Sequence, residues 1–165
     1  MSRIATSNPT GDRPREQLSL DYYPLSELRR LLEERPLLEL APEVESKIAA
    51  GADYVGRKAV EDRYIYGVNT GFGSLCETRV RPDEVEALQF NHVVSHACGV
   101  GELVPEEVSR LTLFIKLLTL RSGHTGIGVS VVQRLLDHWN ADVIPVIPKK
   151  GTVGASGDLA PLAHL

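Results

Sequence analysis

Apolar residues recur along most of this chain at the three-and-four spacing of helices that bury one face. Leu25, Leu28, Leu31 and Leu32 define the first such face within "PLSELRRLLEE", with Ser26 expected as its cap and Pro36 just beyond its end. A second helix is expected from Pro42, a residue suited to the first turn, to about Glu61, with Val44, Ile48, Ala52, Val55 and Ala59 inward, although Gly51 and Gly56 weaken it. Asp83 and Glu86 have capping-box spacing and open a third helix to about Ala97, closed by Gly99 and Gly101. Residues 105–122 are apolar almost all round, which predicts a buried helix. Val132, Leu135, Leu136 and Trp139 mark the next.

The stretches between helices have a different texture. "YIYGVNTGFGSL" at 64–75 mixes β-formers with glycines and predicts a short extended piece entering a tight loop. "VIPVIPKKG" should be extended, because each proline biases its predecessor away from helix. Residues 1–19 carry few large apolar groups and read as a flexible extension, leaving 20–165 as one domain. The expected fold class is mainly α, with short extended segments around two glycine-rich loops. Chemistry is expected in those loops.

Composition narrows the classes. Hydrophobic residues make up 42% and charged ones 24%, ordinary for a globular protein. A net charge of −4 without a basic patch argues against a nucleic-acid partner. The most apolar stretch, "LTLFIKLLTL" at 111–120, is interrupted by Lys116 and is too short to span a bilayer, so no membrane partner is expected. The start has no apolar signal core, and Cys76 and Cys98 do not make a disulfide framework. The cytoplasm is the expected compartment.

The second loop, "GTVGASGDLAPLAHL" at 151–165, gathers glycines that in most proteins only make a tight turn. It lacks the Walker lysine of a phosphate cradle. "GASGD" also fails as a serine nucleophile elbow, because Gly157 follows Ser156 one position too early. Ala155–Ser156–Gly157 suits another chemistry. In a compressed loop the unshielded Gly157 nitrogen can attack the Ala155 carbonyl carbon and close a five-membered ring. Loss of water from the ring and from the Ser156 side chain then leaves an exocyclic methylidene. That product is an electrophile, which the standard side chains do not supply.

"GASGDLAPL" at 154–162 resembles the signature of the aromatic amino-acid ammonia-lyases, which form such a methylidene-imidazolone group from their own Ala-Ser-Gly. "YGVNTGFG" at 66–73 resembles the tyrosine loop of that family, and "NHVVSHACGVG" at 91–101 its third signature, with His92 where leucine is usual. The motifs occur in family order. The resemblance covers about residues 18–165 and implies the N-terminal part of a helical ammonia-lyase fold. Family members run much longer, so a chain ending at Leu165 is expected to be truncated, inactive alone and prone to self-association.

The Ser95–His96 pair is similar to that of histidine ammonia-lyases, where tyrosine lyases tend to carry His-Leu and phenylalanine lyases Phe-Leu. Some tyrosine aminomutases also carry Ser-His. The resemblance thus implies deamination of L-histidine to urocanate and ammonia. Tyr66 would be the base, Ser95 and His96 the substrate contacts, and Ala155, Ser156 and Gly157 the source of the electrophile. It implies no external cofactor and a homotetramer. The alternatives are a tyrosine or phenylalanine lyase, an aromatic aminomutase, and, from another class, a non-catalytic helical binding module. His92 and His96 with Cys98 have metal-pair spacing, but no carboxylate or second pair completes a set, and no metal is expected. Asp158 is read as a helix cap and Tyr64 as structural.

Overall fold

The structure, a computed structural model, describes residues 13–81, 83–154 and 157–165. Helix α1 spans Leu25–Glu34, α2 Pro42–Ala59, α3 Val85–His96, α4 Glu106–Leu120, α5 Val129–Asn140 and α6 Leu159–Ala163. Strands β1 (Arg15–Leu18) and β2 (Leu37–Leu40) pair in parallel across α1, with Arg15 opposite Leu37 and Leu18 opposite Leu40. Strands β3 (Val100–Leu103) and β4 (Pro148–Lys150) pair antiparallel, irregularly, with Val100 opposite Lys150. Among the described residues no helix is long and apolar enough to cross a membrane.

One core joins α1, α2, α4, α5 and the first strand pair. Leu31, Val44, Ile48, Phe114, Leu117, Val132, Leu136 and Trp139 are buried in it. Trp139 is enclosed completely, yet its indole N–H donates to the Pro36 carbonyl at 2.8 Å, so its burial leaves no orphan donor. The neighbouring Asn140 amide exchanges two hydrogen bonds with the Leu38 backbone, of 2.7 and 2.9 Å, and acts as one more rung on the open edge of β2.

Several expectations need correction. Residues 15–18 are not part of a flexible extension. β2 supplies their ladder, Leu18 is fully buried, and the Arg13 guanidinium donates to the Arg35 and Asn140 carbonyls at 2.5 and 2.8 Å. Residues 1–12 lie outside the described part. Ser26 does not cap α1, which starts after Pro24. Asp83 caps nothing, because its carboxylate takes two hydrogen bonds from Arg81 instead. α4 is buried along one face only, leaving Val108 and Ile115 exposed. Its inward face contains Arg110, which reading by apolar period passes over. That guanidinium is buried and paired with Asp142 and with Glu106 at 2.7 Å.

Candidate active site

The segment 64–75 is a knot of turns rather than an extended piece, and Asn69 explains why. Its buried side chain accepts from the Ile65 N–H at 2.8 Å and donates to the Arg63 and Ala59 carbonyls at 2.9 and 3.3 Å. One amide thus ends α2 and shapes the turn that presents Tyr66. A bridge between Thr70 and Arg79, with Val80 N–H donating to the Asn69 carbonyl, closes the loop behind it. Asn69 and Thr70 are the site residues that sequence reasoning passed over, and a buried polar pair inside a glycine-rich loop is the signal that marks them.

Tyr66 itself is exposed, and its hydroxyl oxygen accepts a hydrogen bond from the Gly73 N–H at 3.2 Å. Its ring meets Phe72 edge-on at 5.9 Å between centroids. Phe72 stacks on His92 at 3.9 Å, and His92 lies 4.3 Å from His96. A continuous row of rings therefore leads from the tyrosine loop to the end of α3.

There the His96 Nδ1–H donates to the His92 carbonyl at 2.7 Å, one turn back in the helix. Ser95 Oγ donates to the same carbonyl at 2.9 Å and lies 3.1 Å from His96 Nδ1. A neutral imidazole with its proton on Nδ1 keeps Nε2 as a hydrogen-bond acceptor. A cavity of about 200 Å³ has Ser95, His96 and Cys98 on one wall and the loop residues Gly151 to Gly154 and Gly157 on the other.

The structure thus brings Ser95 and His96 together with Gly157, whereas Tyr66 lines a separate cavity of about 440 Å³ beside Tyr64 and Tyr54. Ala155 and Ser156 lie outside the described residues. Their neighbours Gly154 and Gly157 both have left-handed φ, of 75° and 112°. Thr152 Oγ1 accepts from the Gly154 N–H at 3.3 Å and lies 3.4 Å from the Gly157 carbonyl oxygen, joining the two shoulders of the loop. Asp158 precedes α6 without capping it, and its carboxylate instead takes a hydrogen bond from Thr152 at 3.2 Å.

Burial first, and then the nearby His96 ring, holds the pKa of the His92 imidazole below its ordinary value of 6.5. The unfolded chain then binds the proton more readily than the folded one. Stability is therefore complete above about pH 6.5 and falls as pH drops toward the depressed value. Urea midpoints of the whole protein at pH 7.5 and 5 should fall further for wild type than for His92→Leu. Equal pH dependence in the two would contradict this.

Comparison with known proteins shows the family of the chain. The profile described as aromatic amino acid lyase matches residues 24–165. The chain belongs to this family. Over 148 residues it is 48% identical to the histidine ammonia-lyase of Burkholderia cenocepacia strain HI2424, covering 90% of this chain and 29% of that one. Among solved structures, histidine ammonia-lyase from Trypanosoma cruzi matches with a TM-score of 0.78 and 36% identity, over 92% of this chain and 29% of that one. Tyrosine aminomutase from Streptomyces globisporus matches with a TM-score of 0.81 and 32% identity, over 92% and 28%. This member of the aromatic amino acid lyases thus spans less than a third of the length of the relatives it matches, and within that span its fold is mainly α, like theirs.

Proposed function

We propose that the whole protein deaminates L-histidine to urocanate and ammonia. One observation carries this reading: Ser95 and His96 share a cavity with Gly154 and Gly157, the residues on either side of Ala155–Ser156. The left-handed shoulders and their tie through Thr152 fit a loop that turns back on itself, as cyclisation of Ala155–Ser156–Gly157 requires. The methylidene-imidazolone formed there supplies an electrophile for the substrate amino group, which makes ammonia a better leaving group.

The chain's own residues do the rest. His96 Nε2 accepts the N–H of the substrate imidazole, and the His92 carbonyl, by fixing the proton on Nδ1, keeps that acceptor available. Tyr66 takes the β-proton at its phenol oxygen, and the Gly73 N–H aimed at that oxygen helps it carry negative charge. The row Tyr66–Phe72–His92–His96 gives the base and the imidazole contact a common aromatic wall. Within this reading the protein works in the cytoplasm; that it is a homotetramer and needs no external cofactor is carried by the family resemblance alone.

A second reading, a tyrosine aminomutase, is favoured by the match to the Streptomyces globisporus enzyme. An acceptor Nε2 receives a phenol O–H as readily as an imidazole N–H. Incubation with L-histidine and L-tyrosine separates the two, urocanate against a β-amino acid. His96→Leu removes the acceptor and adds an apolar wall. A lost hydrogen bond of this kind costs about 1–3 kcal/mol, so kcat/KM for histidine should fall on the order of 10–100-fold while phenylalanine turnover rises. An unchanged preference would mean that His96 only packs.

A further inference from the structure

Both ends of the loop carrying Ala155, Ser156 and Gly157 converge on one short segment, Cys98 to Val100. On the incoming side Val100 pairs with Lys150 at the end of β4. The Gly151 carbonyl oxygen lies 3.8 Å from Cys98 Sγ. Gly151 and Gly99 approach so closely that a Cβ on Gly151 would stand 2.9 Å from the Gly99 Cα. On the outgoing side α6 lies against the last turn of α3, with Leu159 and Leu162 facing His92 and His96 across a cavity of about 160 Å³. His164, which ends α6, closes that side: its Nε2 accepts a hydrogen bond from the Gly99 N–H at 2.9 Å. A Cβ on residue 99 would meet that nitrogen at 2.6 Å, so this contact depends on glycine there.

Residue 99 lies three positions after His96, and Cys98 lines the same cavity as His96. The hydrogen bond from Gly99 therefore fixes the outgoing end of the loop to the segment that bears the substrate contact. We infer that His164 is a positioning residue: by accepting from the Gly99 N–H, it holds the outgoing end of the loop, from Gly157 through α6, against the segment that follows His96, and so favours cyclisation of Ala155–Ser156–Gly157. This rests on the proposed function. The step it assists balances without an oxidant or reductant. The Gly157 nitrogen bonds to the Ala155 carbonyl carbon. The carbonyl oxygen departs as water with the amide protons of Ser156 and Gly157. The Ser156 hydroxyl departs with its Cα proton as the second water.

The test compares wild type, His164→Gln, His164→Asn and His164→Leu in the whole protein. Intact mass gives the fraction lacking two waters, and steady-state kinetics give kcat and KM for histidine. A glutamine amide oxygen reaches the position of Nε2, whereas that of asparagine stops short of it. His164→Gln should retain most of the ring-bearing fraction. His164→Asn and His164→Leu should lose it on the order of tenfold or more, with kcat falling in step and KM nearly constant, as expected when reacting atoms are misplaced by a fraction of an ångström. If the leucine variant fails to fold, the two amide variants decide, since both are polar and small. Equal ring fractions for glutamine and asparagine, or wild-type ring formation in the leucine variant, would overturn the inference and leave the proposed function standing. A wild type without the two-water deficit would overturn both.

Discussion

Ser156→Ala in the whole protein is expected to leave a folded molecule with no measurable turnover of histidine. The substitution removes only a hydroxyl, but that hydroxyl is what must depart if a methylidene is to form. No other side chain in the chain offers a comparable electrophile, so the substrate amine would have to leave unactivated. The loss should therefore exceed the ~10²–10⁴-fold that a missing proton-transfer group ordinarily costs. Urocanate formation, followed by its ultraviolet absorbance, and circular dichroism for folding make the check. A variant that folds and keeps even a few per cent of wild-type kcat would show that the chemistry runs through something other than Ser156.

Tyr66→Phe has the next largest expected effect, a fall in kcat of about 10²–10⁴-fold with little change in KM. The ring stays, and with it the edge-on contact to Phe72. Only the oxygen that the Gly73 N–H faces is lost. Because Tyr66 is exposed, the deletion leaves no cavity, and thermal stability should stay near that of wild type. The ring fraction by intact mass should also be unchanged, which separates a lost base from a lost electrophile. Near-normal kcat would place the base elsewhere and leave Tyr66 as part of the aromatic wall.

The helices were legible because their inward positions are apolar at helical spacing and little competes with that signal. Leu31 in α1, Val44 and Ile48 in α2, and Val132, Leu136 and Trp139 in α5 are all buried where the period puts them. What escaped the period depends on partners distant in the chain. β1 reads "REQL", with one apolar residue, and is ordered by a parallel neighbour more than twenty residues on and by the Arg13 contacts. Buried Arg110 looks like a surface charge until Asp142 is brought beside it. The caps expected at Asp83 and Asp158 fail because each carboxylate is taken by a nearby side-chain donor, Arg81 or Thr152, and the one at Ser26 fails because α1 already begins after Pro24.

The site was legible in a different way. Ser95, His96 and Gly157 were singled out by motif, and the structure gathers them in one cavity. The framework behind the motifs was not, because Asn69 and His164 act through backbone groups. Asn69 holds the Ile65 amide and the Arg63 carbonyl, and His164 holds the Gly99 amide. A side chain whose partner is main chain leaves no spacing of its own, and the sequence marks Asn69 only by a polar pair set among glycines.

Formation of the electrophile of a histidine-deaminating enzyme by Ala155, Ser156 and Gly157 is the step on which the proposed function depends. It is tested most directly by the mass of the peptide containing residues 151–165, isolated from whole protein that has been shown to convert L-histidine to urocanate. The peptide should be lighter than its sequence requires by two waters, with the deficit absent from Ser156→Ala. An unmodified peptide from protein that turns over histidine would contradict it.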